Sequence, residues 1–122
     1  MHYKIEQATD YLRAELCERE TADETQKFLE ALKTKTAQYG CTRVLVCVRN
    51  SRRVFKLDAH GINGYFRYMA GNPANRVAMI SDSEELRSSQ QYIEMLGREQ
   101  GAKVKAFRDE PSALAWLRCD SA

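Results

Sequence analysis

The chain has 122 residues, 43% of them apolar and 30% charged, with a formal net charge of +2. That length favours one domain spanning residues 1–122, with a core that needs no disulfide staples. No run approaches the ~20 apolar residues of a membrane helix, and the start "MHYKIEQATDYL" lacks the basic-then-apolar order of a secretory signal, so a cytoplasmic protein without a membrane span is expected.

Residues 3–8 ("YKIEQA") and 11–18 ("YLRAELCE") flank Thr9 and Asp10. In the second run Leu12, Ala14 and Leu16 alternate with Arg13 and Glu15, so the pair reads as a half-exposed antiparallel hairpin. Thr21 and Glu24 make a capping box for a helix from about 22 to 39. Phe28, Leu29, Leu32 and Tyr39 follow at helical spacing, and Gly40 stands where a left-handed terminator belongs. Residues 43–48 ("RVLVCV") and 76–81 ("RVAMIS") are continuous β-rich apolar runs, the pattern of central parallel strands buried on both faces.

Between them Ile62, Tyr65, Phe66 and Met69 are spaced as a helical stripe, ended by Gly71-Asn72-Pro73. Gly61 and Gly64 each cost roughly 1 kcal/mol inside a helix relative to Ala. Two in one turn imply a late or irregular helix start, or close approach by another backbone. A further helix runs over 81–101, capped by Ser81 or Asp82, with Leu86, Ile93 and Leu96 on its buried face and Gly101 as its stop. Residues 102–107 ("AKVKAF") expose alternate lysines and suit an edge strand. Residues 109–117 make a last helix, with an Asp109 cap, Pro111 in the first turn and Ala113, Leu114, Trp116 and Leu117 as its apolar stripe. The order ββαβαβαβα predicts an α/β fold: a single-layer, mostly parallel five-stranded sheet with an N-terminal antiparallel hairpin and right-handed crossovers.

Cys17, Cys41, Cys47 and Cys119 form no C-x-x-C pair, so free thiols are expected and no metal site or cofactor. No G-x-S-x-G, G-x-G-x-x-G or P-loop pattern occurs, so no catalytic residue is assigned and no enzyme is expected. Residues 6–30 carry eight acids against three bases, and residues 43–67 six bases against Asp58 alone. Such opposite lobes suit self-association or a charged protein partner, or they are simply solvated faces.

Ligands of open α/β sheets bind beyond the carboxyl ends of the strands. The segment after "RVLVCV" is such a place, with Asn50, Arg52 and Arg53 around a helix start that Asp58 would cap, followed by His60 and Gly61. His60 stands two residues from Asp58, a spacing at which helical side chains do not face each other. Cys47 lies in an apolar strand that disfavours a thiolate. Tyr68, off the buried stripe, is a candidate partner contact. Nucleic-acid binding through Arg49, Arg52 and Arg53 is disfavoured, because Tyr65, Phe66 and Trp116 lie on helical stripes rather than on a stacking surface.

"RVLVCVR", "NRVAMIS" and "YIEMLGREQGAKVKAFRDEPSALAWL" carry a resemblance, above all through F-x-[DE]-x-x-x-A-x-x-W-L at Phe107 to Leu117. In these stretches the chain resembles the SpoIIAA-like, STAS-domain family (sulfate transporter and anti-sigma-factor antagonist), and in particular bacterial STAS/SEC14-type proteins. The resemblance implies a SpoIIAA-like fold. In regulatory members a D-S-[ST]-G motif opens a helix and carries a serine whose phosphorylation switches partner binding. The matching positions are Asp58, Ala59, His60 and Gly61, so both serine positions are lost. What the resemblance leaves is a non-catalytic regulatory or binding module, acting through protein contacts or a small anionic ligand near residues 50–66. The SEC14-type likeness implies the alternative, a small lipid or apolar-ligand carrier with Ile62, Tyr65, Phe66 and Met69 lining its cavity.

Overall fold

The hairpin, four strand-helix alternations and sheet expected above are all present in a computed structural model, which describes residues 2–8, 10–18, 22–49 and 59–118. In chain order the elements are β1 (His2–Gln7), β2 (Leu12–Cys17), α1 (Ala22–Tyr39), β3 (Arg43–Arg49), α2 (Ala59–Ala70), β4 (Arg76–Ser81), α3 (Glu84–Glu99), β5 (Lys103–Ala106) and α4 (Glu110–Leu117). The sheet order is β1-β2-β3-β4-β5; β1 and β2 are antiparallel and the other neighbours parallel. No helix among the described residues is long and apolar enough to cross a membrane.

Three successive crossovers that step the same way across the sheet put their helices on one face. There Leu12, Ala14 and Leu16 from β2, Val44, Val46 and Val48 from β3, and Val77 and Met79 from β4 meet Phe28 and Leu32 of α1, Tyr65, Phe66 and Met69 of α2, and Leu86 of α3. The opposite face would stay bare without α4, whose Ala113 and Leu117 cover Leu45, Cys47, Ala78 and Ile80. This two-sided cover is why β3 and β4 read as unbroken apolar runs. The apolar side chains of α4 cover only the central strands, so β2 presents Arg13 and Glu15 on that face, and its sequence alternates.

Several terminators behave as their residue types require. Gly40 and Gly101 take positive φ values of 64° and 86° after α1 and α3. The Asp109 carboxylate accepts a 2.8 Å hydrogen bond from the Ser112 amide at the start of α4. The start of α3 differs from the expectation: its N-cap is Ser83, not Ser81 or Asp82, and the Ser83 hydroxyl accepts from the Leu86 amide at 3.2 Å. Ser81 is still in the strand, paired with Val48, and its hydroxyl donates to the Ser83 carbonyl. The sheet ladder claims Ser81, so the helix begins later. Thr21 and Asp58, expected as caps of α1 and α2, lie outside the described residues.

The glycines of α2 also behave differently from the expectation. The helix runs from Ala59 through Gly61 and Gly64 without a late start. At Gly64 a Cβ would meet no atom within 4 Å, so no close approach accounts for the glycine. Gly64→Ala is therefore expected to raise stability by roughly 0.5–1 kcal/mol, the helix-propensity difference. A urea unfolding midpoint at or below that of the wild type would contradict this.

Candidate functional site

The carboxyl ends of β3 and β4 lie side by side, with Cys47 opposite Ile80 and Val48 opposite Ser81 in the ladder. Beyond them Cys47, Val48, Arg49, Ile80, Ser81 and Asp82 line a cleft of about 290 Å³. Local sequence places these groups: β3 turns from apolar to basic at Arg49, and β4 ends at Ser81, with Asp82 between it and the α3 cap. Arg49 and Asp82 bring opposite charges to one opening. Its apolar floor is Cys47 and Ile80, both buried.

The polar face of β2 adjoins this cleft. Arg13 lies 2.7 Å from the Glu15 carboxylate and 3.0 Å from Glu110 at the start of α4, and Arg49 approaches Glu15 at 3.8 Å. One acid of residues 6–30 and one base of residues 43–67, Glu15 and Arg49, thus meet across adjacent strands. That meeting follows from β2 and β3 being hydrogen-bonded neighbours. Hydrogen bonding from the Arg13 guanidinium holds the Glu15 carboxyl below its usual range, with the charges of Arg13 and Arg49 adding to it. A carboxylate whose pKa is depressed by folding stabilises the protein above its unfolded value of ~4.3, and that contribution is lost as pH falls through the lower folded value. Acid unfolding of the wild type should accordingly include a step that Arg13→Gln flattens. Identical slopes of stability against pH below about 4.3 in both proteins would contradict it.

Cys47 is a poor nucleophile in this setting. Burial pushes its thiol up to about 11, outweighing the opposing pull of the Arg13 charge. Cys17, Cys41 and Cys47 are free thiols.

A second space lies under the three-helix face. Thirteen residues line a partly open cavity of about 50 Å³, among them Phe28, Tyr65, Phe66 and Met79, and the polar Thr25 and Gln90. The Gln90 Nε2 donates to the Ile80 carbonyl at 2.9 Å, which fixes the amide's orientation because a carbonyl can only accept. Its Oε1 and the Thr25 Oγ1 are buried with no hydrogen-bond partner in the protein. About 10–15 Å³ of such space holds one water, so the cavity has room for water that satisfies both atoms. The cavity is small beside a benzene-binding one, which measures ~150 Å³.

Of the residues singled out in the sequence, Asn50, Arg52, Arg53 and Asp58 lie outside the described residues. His60 and Gly61 fall in the first turn of α2; the His60 side chain also lies outside the description. Tyr68 is elsewhere. It sits nine residues into the helix, roughly 13 Å along the axis from its start at 1.5 Å per residue, and its ring lies 5.0 Å from the Lys33 Nζ of α1. The fold therefore separates Tyr68 from the strand ends. From the sequence, Arg49 is named only for nucleic-acid binding and Ser81 or Asp82 only as a helix cap, not the three together as a site. Their signal was positional, since each stands at the last residue of a continuous apolar strand or just beyond it.

No protein-family model matches the chain, and neither does any curated protein. Among solved structures the chain is similar to the crystal structure of an uncharacterised protein of the DUF3478 family, with a SpoIIAA-like fold, from Shewanella loihica PV-4. The two share 20% sequence identity at a TM-score of 0.51, over 95% of this chain and 92% of the other. Likeness at that identity shows the fold, and the strand order and hairpin described above agree with it.

Proposed function

We propose that this chain of SpoIIAA-like fold is a non-catalytic binding module that takes a small anion at the carboxyl ends of β3 and β4. The observation carrying this reading is the cleft of about 290 Å³ at the place where open α/β sheets hold their ligands. Arg49 supplies the positive charge. Asp82 borders the same opening and opposes a multiply charged anion, so a monocarboxylate fits better than phosphate. Ser81 adds a hydroxyl at the same edge. The raised thiol pKa of Cys47 supports binding without turnover, and the absence of serine at positions 59 and 60 sets a phosphorylation switch there aside. The carrier alternative draws little support from a cavity of about 50 Å³.

Titration calorimetry with acetate and with inorganic phosphate tests the reading through opposite signs. Arg49→Gln should weaken acetate binding at least tenfold, roughly the 1.5–3 kcal/mol of a hydrogen bond to a charged group. Asp82→Asn should strengthen it, by removing a like charge. An affinity that neither substitution changes, or no heat with any small carboxylate, would refute the assignment.

A further inference from the structure

β1 is one edge of the sheet, and among the described residues only β2 pairs with it. The strand HYKIEQ contains no proline or glycine, and its register with β2 runs unbroken from His2↔Cys17 to Gln7↔Leu12. All its residues are exposed except Ile5, which is half-buried. Such an edge is a template for another strand. Among the described residues no bulge bends it, and its single lysine is matched by a glutamate two residues on.

A second copy added antiparallel to this edge extends the sheet with matching faces only when the two-fold axis stands perpendicular to the sheet. The axis then places one residue opposite its own copy, and the charges choose which residue. Centring on Lys4 or on Glu6 sets like charges face to face, and centring on Tyr3 sets His2 against Lys4. Centring on Ile5 places Lys4 of each copy opposite Glu6 of the other, with Tyr3 opposite Gln7. Within one chain Lys4 and Glu6 already approach at 2.9 Å on the same face, so the dimer would hold an alternating square of four charges. The other edge offers nothing comparable. β5 has only four residues, and registers centred on Lys103, Val104 or Lys105 all bring lysine against lysine.

We propose that the chain forms a two-fold dimer by antiparallel pairing of β1 with β1, centred on Ile5 and selected by the reciprocal Lys4–Glu6 pairs. The pairing joins two five-stranded sheets into one and consumes the β1 edge, leaving the Lys103 and Lys105 edges outermost. The half-buried Ile5 pair lies on the three-helix face, beside Tyr3, whose ring meets Phe28 of α1 edge-on at 5.9 Å. The proposal is independent of the anion reading, since β1 contributes nothing to that cleft.

Sedimentation equilibrium on the full chain tests it. The wild type should dimerise. Lys4→Glu sets carboxylate against carboxylate across the axis, and Glu6→Lys sets ammonium against ammonium; each variant alone should self-associate at least tenfold more weakly. Mixed in equal amounts, the two variants are fully complementary and should form a heterodimer. Circular dichroism checks that each single variant is folded. Should one fail to fold, the double variant K4E/E6K, which restores complementarity within a homodimer, is measured instead and should dimerise. A monomeric wild type at its highest soluble concentration, single variants that dimerise like the wild type, or a mixture or double variant that stays monomeric would each overturn the proposal.

Discussion

Gly97→Ala is expected to destabilise the fold by about 2 kcal/mol, although alanine is the better helix former. A Cβ at position 97 would lie 2.5 Å from Val104 Cγ1 of β5 and 3.2 Å from the Phe66 ring of α2. Both neighbours are core residues, at 1% and 3% exposure, so neither side chain can swing into solvent. Overpacking a tight core costs typically 1–3 kcal/mol, sometimes more, whereas the propensity gain recovers at most about 1. The glycine is what lets α3 approach β5 closely enough for the Arg98 guanidinium to reach the Val104 carbonyl and for the Glu94 carboxylate to accept from the Ala106 amide at 2.7 Å. Val104→Ala removes the clashing methyl. The double variant should therefore be more stable than the sum of the two single changes, with a coupling energy between about 0.5 and 3 kcal/mol in urea unfolding. Strict additivity would show that the close approach is not what holds Gly97 in place.

Phe28→Ala should have the larger effect, a loss of about 3–5 kcal/mol. The ring is 2% exposed, packs under α2 beside Leu16 and Val48, and already borders the cavity of about 50 Å³. Its removal enlarges an existing void, which the surrounding β-branched and aromatic side chains are poorly placed to refill. It also removes the edge-on contact that ties β1 to α1, with ring centroids 5.9 Å apart and planes at 69°. Such aromatic pairs contribute about 0.5–1.5 kcal/mol beyond their burial. A loss this size is a large share of the 5–15 kcal/mol that domains typically have, so the variant's thermal midpoint should fall steeply. Phe28→Leu, which keeps most of the volume, should cost far less. A small effect of Phe28→Ala would mean that α1 can settle inward to close the gap.

Much of this architecture is legible along the chain because its signals are local. A strand's side chains alternate and a helix's recur every 3.6 residues, so Leu12, Ala14 and Leu16, or Tyr65, Phe66 and Met69, announce their element and their buried face without any neighbour. Gly40, Gly101, Asp109 and Pro111 act within one turn of where they stand, and they terminate or cap as their chemistry dictates. The alternation of apolar and continuous strands also implied which strands were central.

Other roles depend on partners far away in the chain, and no local period encodes those. Gly97 looked like an ordinary helix residue until Phe66 and Val104 closed around it. Arg76 read as the first residue of an apolar strand; in the fold it is buried at 9% exposure, donates to the Trp116 carbonyl at 2.9 Å and stacks over that indole at 5.5 Å. Gln90 is buried because Ile80 offers it a carbonyl. Glu15 and Arg49, from stretches opposite in sign along the chain, come together because β2 and β3 are adjacent in the sheet. Arg49, Ser81 and Asp82 became one cleft for a similar reason: parallel strands end on the same side, so residues more than thirty positions apart share a rim. Periodicity states what each segment buries. Strand order states against what, and that depends on summed packing and hydrogen bonding over the whole sheet, a global free energy that no single stretch of residues contains.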